Sequence, residues 1–296
     1  MESPSVTGWI ETYRGVVYRW EVDHNDHLTV AYYFSRLGEA TLALLEALGL
    51  APEGDGCAWI TADCHVRYVH ELRAGDILHV RSAPVAVERD GLVTGHELVD
   101  DGAGRVASTF EQRLRPVGRG GEPVELPPGE RERLQRRCVA WERPRRERRP
   151  RPASLDGLRD AARDTIRSWE AGGSGPATLA AYVHRFSAAN SHLLAAFGMT
   201  PPYMRERRRG FSTFEFQFAA TGVLRPGTPV AVRSGLLHVG NSSLRLFHVM
   251  LDARTGAELA SLHQAGVHFD QEARRPDPLP ADLAERARAL VVPASG

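Results

Sequence analysis

An internal duplication constrains this chain more than any other feature of its sequence. Residues 20–50 align without a gap with residues 169–199, at an offset of 149, and eleven of the 31 pairs are identical. Ordinary residue usage would give roughly two matches by chance. Leu72 to Gln112 then aligns with Leu224 to Gln264 at an offset of 152. The chain therefore contains one structural unit twice, with a three-residue insertion in the second copy near residues 201–210.

Each copy is predicted to be a short strand, one long helix and then a meander of strands. A single helix face is indicated by apolar residues at steps of three and four, namely Tyr33, Leu37, Ala40, Leu44 and Leu48. Helix ends are indicated by Gly49 and Gly198, followed by Pro52 and Pro201. The first strand of each copy is predicted to end at Trp20-Glu21 and Trp169-Glu170. Asp-Gly turns at residues 90–91 and 101–102 separate the later strands. The predicted class is α+β, with each long helix laid on a curved antiparallel sheet.

Composition and the repeat together predict the domain boundaries. The first unit is assigned to residues 1–117, a Pro- and Arg-rich linker to 118–157, the second unit to 158–275 and a tail to 276–296. The basic run from Pro144 to Pro152 is interpreted as a solvated connector. A contact with substrate phosphates is the alternative. RNA binding is disfavoured because no aromatic residues interleave with these arginines.

The overall charge and hydropathy exclude other classes of protein. Lys and Arg number 37 and Asp and Glu number 37, so the net charge of zero argues against a general nucleic-acid partner. Neither an apolar run of the roughly 18–20 residues that a membrane helix needs nor a signal-peptide pattern is visible. The three cysteines, Cys57, Cys64 and Cys138, are odd in number and lack metal-ligand spacing, which favours a reduced, cytoplasmic compartment. The lack of a membrane-helix pattern predicts no membrane partner.

The two copies differ at the loop before the long helix. Residues 23–29 read DHNDHLT, whereas residues 172–178 read GGSGPAT, and Glu39 is matched by Ala188. Residues that maintain the fold are expected to persist in both copies, as Trp20/Trp169 and Tyr33/Tyr182 do. The loss of the polar set from the second copy predicts that the first copy carries the chemistry and that the second is a scaffold.

The stretch WEVDHNDHLTVAYY at residues 20–33, followed by Leu37-Gly38-Glu39-Ala40, resembles the signature of hotdog-fold thioesterases. It is similar to the 4-hydroxybenzoyl-CoA and acyl-carrier-protein thioesterase branches, although Thr29 stands where the family usually has Asn. The resemblance covers about residues 10–117 and, without the polar motif, 158–270. It implies two tandem hotdog units that pair as an intrachain pseudo-dimer, with substrate entering between them. A further homodimer of this pseudo-dimer stays open.

The resemblance implies a thioesterase that acts on an acyl-CoA or acyl-carrier-protein thioester and uses neither a metal nor an organic cofactor. Hydrolysis of a thioester needs an activated water or a carboxylate nucleophile, and donors for the developing oxyanion. Asp23 is the first candidate carboxylate, Asn25 and His27 are candidate donors or proton carriers, and Glu39 is the rival base. The candidate substrate-binding residues are Thr29, Tyr33, Trp59, Arg205 and Arg208.

Structural alternatives stay open for these candidates. Asp23 or Asn25 would cap the helix, His27 would be a buried core histidine, and Glu39 would pair with Arg36 at (i, i+3). Core packing is favoured for Tyr33 because both copies keep it, and a solvated loop is favoured for residues 205–209. A metal cluster of Asp23, His24, Asp26 and His27 is disfavoured because adjacent loop residues rarely point at one centre.

Two other functions compete with hydrolysis. One is a hotdog hydratase or dehydratase acting on an enoyl thioester, whose motif Asp-x-Asn-Pro-x-His is one residue longer than the spacing here. The other is a non-catalytic protein that binds acyl thioesters. The Asp23, Asn25 and His27 set argues against the second.

Overall fold

The computed structural model describes residues 8–50, 58–171 and 175–295. Pro52, which was predicted to follow a helix end, and residues 172–174 of the diverged loop lie outside the described residues. The chain divides into two compact units, residues 1–145 with 172–180, and residues 146–171 with 181–296. Among the described residues, no helix has the length and apolar character that a membrane span requires.

The first unit is a long helix packed on a five-stranded antiparallel sheet. The strands are β1 (Ile10–Val16), β2 (Ala58–Tyr68), β3 (Ile77–Glu88), β4 (Gly91–Asp100) and β5 (Arg105–Val117), in the spatial order β1-β3-β4-β5-β2. The helices are α1 (Val30–Ala47) and the shorter α2 (Pro128–Gln135). The inner face of α1 packs on the sheet through Phe34, whose ring meets that of Phe110 edge-on at 6.0 Å.

The second unit repeats this arrangement with two more elements, nine α-helices and strands against seven among the described residues. Its strands are β6 (Arg159–Thr165), β7 (Arg209–Ala220), β8 (Pro229–Val239), β9 (Ser243–Asp252) and β10 (Glu258–Asp270), in the order β6-β8-β9-β10-β7, with β11 (Arg275–Pro276) on β10. Its helices are α3 (Leu179–Ala196), α4 (Pro201–Arg207) and α5 (Ala281–Arg288). Helix α4 occupies the position of the predicted insertion. Helix α5 contributes Leu283, Ala284 and Ala287 to the core, so the segment predicted as a tail is a packed part of this unit.

The predicted helix face and helix ends are confirmed. The five apolar residues predicted for the helix face, from Tyr33 to Leu48, are all buried. Gly49 and Gly198, which follow the two helices, adopt positive φ angles of 69° and 108°. The predicted ends of the first strands are wrong, because β1 stops at Val16 and residues 19–21 form a 3-10 turn. Trp20 and Trp169 are 71% and 76% exposed, so their persistence does not reflect core packing.

A buried polar network is repeated in the two units. In the first, Ser82 Oγ lies 2.7 Å from His96 Nδ1, and in the second Ser234 Oγ lies at the same distance from His248 Nδ1. Gln112 donates to Thr61 at 2.7 Å, and Gln264 donates to Thr213 at 2.8 Å. All four pairs of positions keep the offset of 152. The insertion in the second copy therefore lies before Thr213, the counterpart of Thr61. Buried polar groups need such partners, which explains why both copies keep them.

The basic run is exposed at residues 145–148, 150 and 151, as the connector interpretation predicts, but two of its arginines also pair with the sheet of the second unit. Arg149 forms a buried ion pair with Glu215 of β7, with side chains 8% and 2% exposed. Arg151 binds both carboxylate oxygens of Glu258, at 3.0 and 2.7 Å, and Gln217 donates to the carbonyl of Glu147 at 2.9 Å. Glu215 and Gln217 alternate with buried Phe216 and Phe218, so both faces of β7 are covered. The run is a strap on the sheet of the second unit.

Candidate functional site

The polar motif lies in a closed loop between the 3-10 turn and α1. Val22 and Leu28 form an antiparallel bridge, and the backbone N–H of Asp23 donates to the carbonyl of His27 at 3.1 Å. Asp26 turns the chain with a φ of 60°, a left-handed conformation that Asp tolerates better than most residues. The backbone N–H of Leu28 donates to the carbonyl of Leu72 at 2.7 Å, which ties the loop to the turn before β3.

This loop brings three of the predicted catalytic residues together. Asp23 Oδ1 accepts the backbone N–H of Asn25 at 2.8 Å, and Oδ2 lies 3.5 Å from Asn25 Nδ2. His27 Nε2 lies 3.9 Å from Asp23 Oδ1. Asn25 is buried, whereas the side chains of Asp23 and His27 remain 28% and 13% exposed. The Asp23 carboxylate is therefore partly accessible beside the His27 imidazole, and the buried Asn25 shapes the turn around it.

Helix capping is not the role of Asp23 or Asn25. The N-cap of α1 is Thr29, whose own side chain makes no capping hydrogen bond. The first N–H groups of a helix lack intrahelical acceptors and carry partial positive charge. Asp23 lies six residues before the N-cap, on the loop that leads into these N–H donors.

Glu39 does not join this group. Its side chain is exposed on α1, and its charge helps to raise the pKa of Tyr13 on β1, after the larger effect of burial. The (i, i+3) pair of Glu39 with Arg36 is also wrong, because Arg36 Nη2 donates to Glu21 at 2.6 Å. Arg36 therefore has a partner other than Glu39, and no hydrogen bond or ion pair joins Glu39 to Asp23 within the described residues.

Tyr33 is a core residue. It is 3% exposed, its ring meets that of Tyr68 at 5.1 Å, and burial raises its pKa well above the ordinary value. Tyr182, its counterpart, accepts the backbone N–H of Leu224 at 3.2 Å, and Tyr33 makes the matching hydrogen bond with the backbone of Leu72. The hydroxyl of each tyrosine thus holds the turn that follows the second strand of its own unit.

The other candidate substrate-binding residues occupy different parts of their units. Trp59 Nε1 donates to the carbonyl of Leu50 at 3.1 Å, and its ring packs against the apolar cluster around Leu44 and Leu48. Arg205 and Arg208 are exposed at α4, and Arg208 lies 3.6 Å from Glu272. Within the described ranges, no group of three or more His, Cys, Asp or Glu side chains is arranged to hold a metal ion.

Sequence reasoning missed the partners that hold the loop. The ion pair of Glu21 with Arg36 is buried, and it recurs as Glu170 with Arg185 in the second unit. The identity of these positions in both copies was a signal for the pair. A separation of 15 positions matches no local helix or strand spacing, so the pairing itself does not follow from the sequence.

Comparison with known proteins places this loop in a family. A profile described as the thioesterase-like superfamily matches residues 16–134 and 178–287, which is more than half of the chain. A betainyl-CoA thioesterase from Pseudomonas aeruginosa is 31% identical over 115 residues, covering 38% of this chain and 72% of that protein. An L-carnitine dehydrogenase/betainyl-CoA thioesterase from Agrobacterium fabrum is 29% identical over 109 residues, and the match covers 36% of this chain and only 22% of that longer protein.

The fold agrees with these matches. A 12:0-ACP thioesterase from Umbellularia californica superimposes with a TM-score of 0.68 and 13% identity, covering 88% of this chain and 94% of that one. At this identity the likeness shows the fold alone. The predicted hotdog fold and the predicted thioester hydrolase class are both confirmed. The chain belongs to the thioesterase-like superfamily.

Proposed function

We propose that this chain hydrolyses an acyl-CoA thioester and that Asp23 supplies the reacting carboxylate. The observation that carries the proposal is the accessible Asp23 carboxylate, held by the N–H of Asn25 and 3.9 Å from His27, in a member of this superfamily. Acyl-carrier protein is the alternative carrier of the acyl group. The betainyl-CoA named for two relatives makes a small charged acyl group the first substrate to test.

The chemistry follows from the loop and the helix. Asp23 either removes a proton from the attacking water or attacks the thioester carbonyl itself, and both routes place negative charge on the carbonyl oxygen. N–H groups of the first turn of α1 stabilise that charge until the thiolate leaves. On the first route His27 passes the proton of the attacking water from Asp23 to the thiolate. On the second route water hydrolyses the acyl–Asp23 anhydride to the free acid, which restores the carboxylate and supplies the proton that His27 passes to the thiolate. Asn25 fixes the orientation of the carboxylate. Glu39 is retained as the rival base, to be tested by its own substitution.

We further propose that the two hotdog units form an intrachain pseudo-dimer. The duplicated sequence and the family resemblance support this arrangement. In it the second copy completes the acyl pocket without catalytic groups of its own. Thr29 and Trp59 would contact the acyl or pantetheine chain, and Arg205 and Arg208 the phosphates. Tyr33 is left out because its hydroxyl is used within the core.

The test is a thiol-release screen with betainyl-CoA, fatty acyl-CoA, aromatic acyl-CoA and acyl-carrier-protein thioesters. The wild type is expected to release thiol from at least one of them, and Asp23→Ala to lose about 10²-fold or more in kcat. The matched control is Asp26→Asn. It removes a neighbouring exposed carboxylate, Asn tolerates the same positive φ angle, and the variant is expected to stay active. Equal rates for Asp23→Ala and the wild type contradict the assignment. Loss of enoyl-CoA absorbance without thiol release would instead support a hydratase, and binding without any turnover would support a non-catalytic binding protein.

A further inference from the structure

We propose that the buried ion pair of Glu21 and Arg36 is a positioning element of the reaction, which holds the loop that carries Asp23 in its reactive geometry. The inference rests on the proposed function of Asp23. Neither residue of the pair contacts the reacting atoms in this proposal. They act through the backbone at the base of the loop.

The side chains of the pair are almost fully removed from solvent. Arg36 Nη2 donates to Glu21 Oε2 at 2.6 Å, with side chains 5% and 6% exposed. The same carboxylate oxygen accepts the backbone N–H of Tyr18 at 2.9 Å, and Arg36 also reaches the carbonyl of Val16 at 3.3 Å. Removing one member of a buried pair leaves an uncompensated charge, so the position of each side chain is strongly determined by the other.

The backbone of Glu21 closes the base of the loop. Its carbonyl accepts the N–H of Thr29, the N-cap of α1, at 2.9 Å, and the Val22–Leu28 bridge lies immediately beyond. Asp23 follows two residues after Glu21. Arg36 therefore connects the second turn of α1 to the strand exit, and the loop is held between these two points. A displacement of the base by about 1 Å would move the Asp23 carboxylate by a similar amount, enough to cost about 10²-fold in rate.

The second unit repeats the pair without the catalytic loop. Arg185 binds both carboxylate oxygens of Glu170, with Nη2 at 2.8 Å from Oε2, and the N–H of Arg167 donates to that oxygen at 2.9 Å. Arg185 also reaches the carbonyl of Thr165 at 3.1 Å, and every one of these positions keeps the offset of 149. The loop that follows begins with Gly172-Gly173-Ser174 in place of the Asp, His and Asn of the first copy. The Glu170–Arg185 pair is therefore an internal control for the Glu21–Arg36 pair, because it supports the fold of its unit but precedes no catalytic loop.

The experiment compares Arg36→Lys with Arg185→Lys, because Lys keeps the charge but loses the planar fork of donors. Each variant is assayed below its own Tm with the best thioester from the screen. Both are expected to lower Tm. Only Arg36→Lys is expected to lower kcat, by about tenfold or more at a KM within about twofold, since the transition state and not substrate binding depends on the carboxylate. Added to Asp23→Ala, it should cause no further loss of rate.

An unchanged kcat for Arg36→Lys, or equal losses in the two variants, would overturn the inference and leave the thioesterase assignment intact. A wild type that releases no thiol from any substrate overturns the proposed function and the inference together. If Arg36→Lys does not fold, Glu21→Gln with Glu170→Gln as its control gives the same comparison, because Gln keeps the shape of the side chain and removes its charge.

Discussion

The Nε2 atom of His27 lies 3.9 Å from Oδ1 of Asp23 and is buried without a hydrogen-bond partner among the described residues. A buried nitrogen of this kind costs free energy unless a substrate or a water satisfies it. Its position beside the partly exposed Asp23 carboxylate suggests that the thioester or its water completes the arrangement. The relationship ties the reactivity of Asp23 to the neighbouring imidazole.

Replacement of His27 by Ala is expected to lower kcat by about 10²-fold, because it removes the proton carrier beside Asp23. Thiol release by purified protein measures the rate, and thermal unfolding checks the fold. His24→Ala, an exposed imidazole three residues away, is the control and should keep the wild-type rate. Similar rates for the two variants would count against a role of His27 in proton transfer.

Acid is expected to destabilise the protein through the buried imidazoles of His96 and His248. Burial lowers the pKa of His96 to about 3 and that of His248 to about 4, whereas the pKa of histidine in an unfolded chain is about 6.5. The unfolded chain therefore binds the extra protons between these values. The contribution of each histidine to stability is complete above about pH 6.5 and is lost as the pH falls, by up to about 1.4 kcal/mol per pH unit.

Urea unfolding at pH 8, 6 and 5 measures this dependence. His248→Gln is expected to be less stable at pH 8 and to show a shallower fall between pH 6 and 5 than the wild type. His24→Gln provides an exposed comparison with an unchanged slope. An identical slope in His248→Gln would show that other groups control the acid transition.

Removal of the Tyr33 hydroxyl is expected to affect stability and not substrate binding. Tyr33→Phe leaves the buried backbone of Leu72 without its partner, at a cost of about 1–3 kcal/mol. Tyr182→Phe removes the equivalent hydrogen bond to Leu224 and should cost a similar amount. Denaturant unfolding and KM for thiol release test both points. A raised KM in Tyr33→Phe alone would restore this residue as a substrate contact.

Arg149 of the strap is expected to contribute far more to the free energy of unfolding than Arg151. Arg149→Ala removes the arginine of the buried ion pair with Glu215, and should lower the free energy of unfolding by about 3–5 kcal/mol. Arg151→Ala removes a pair whose side chains are 43% and 24% exposed, and should cost about 1 kcal/mol or less. Chemical denaturation compares the two. Equal losses would mean that the burial of the Arg149 pair does not govern its contribution.

Local patterns predicted the elements because backbone geometry imposes their period. The spacing from Tyr33 to Leu48 marked the buried face of α1, and the Asp-Gly turns marked the strands. Partner choice was harder to predict. Arg36 pairs with Glu21, 15 residues away, and not with Glu39, three residues away. A buried arginine needs a buried counter-charge, whereas an ion pair with the exposed Glu39 would contribute little to stability.

The sequence by itself determined the doubling of the unit, the helix and strands of each copy, and the location of the polar motif on the loop before α1, since all of these depend on identity and period along the chain. Only the tertiary structure decided which of the residues identical in both copies are buried. Tyr33 is buried while Trp20 is exposed, and the arginines of the strap cover a sheet face that alternation alone predicts to be open to water. Burial depends on which surfaces meet, and distant segments supply those surfaces.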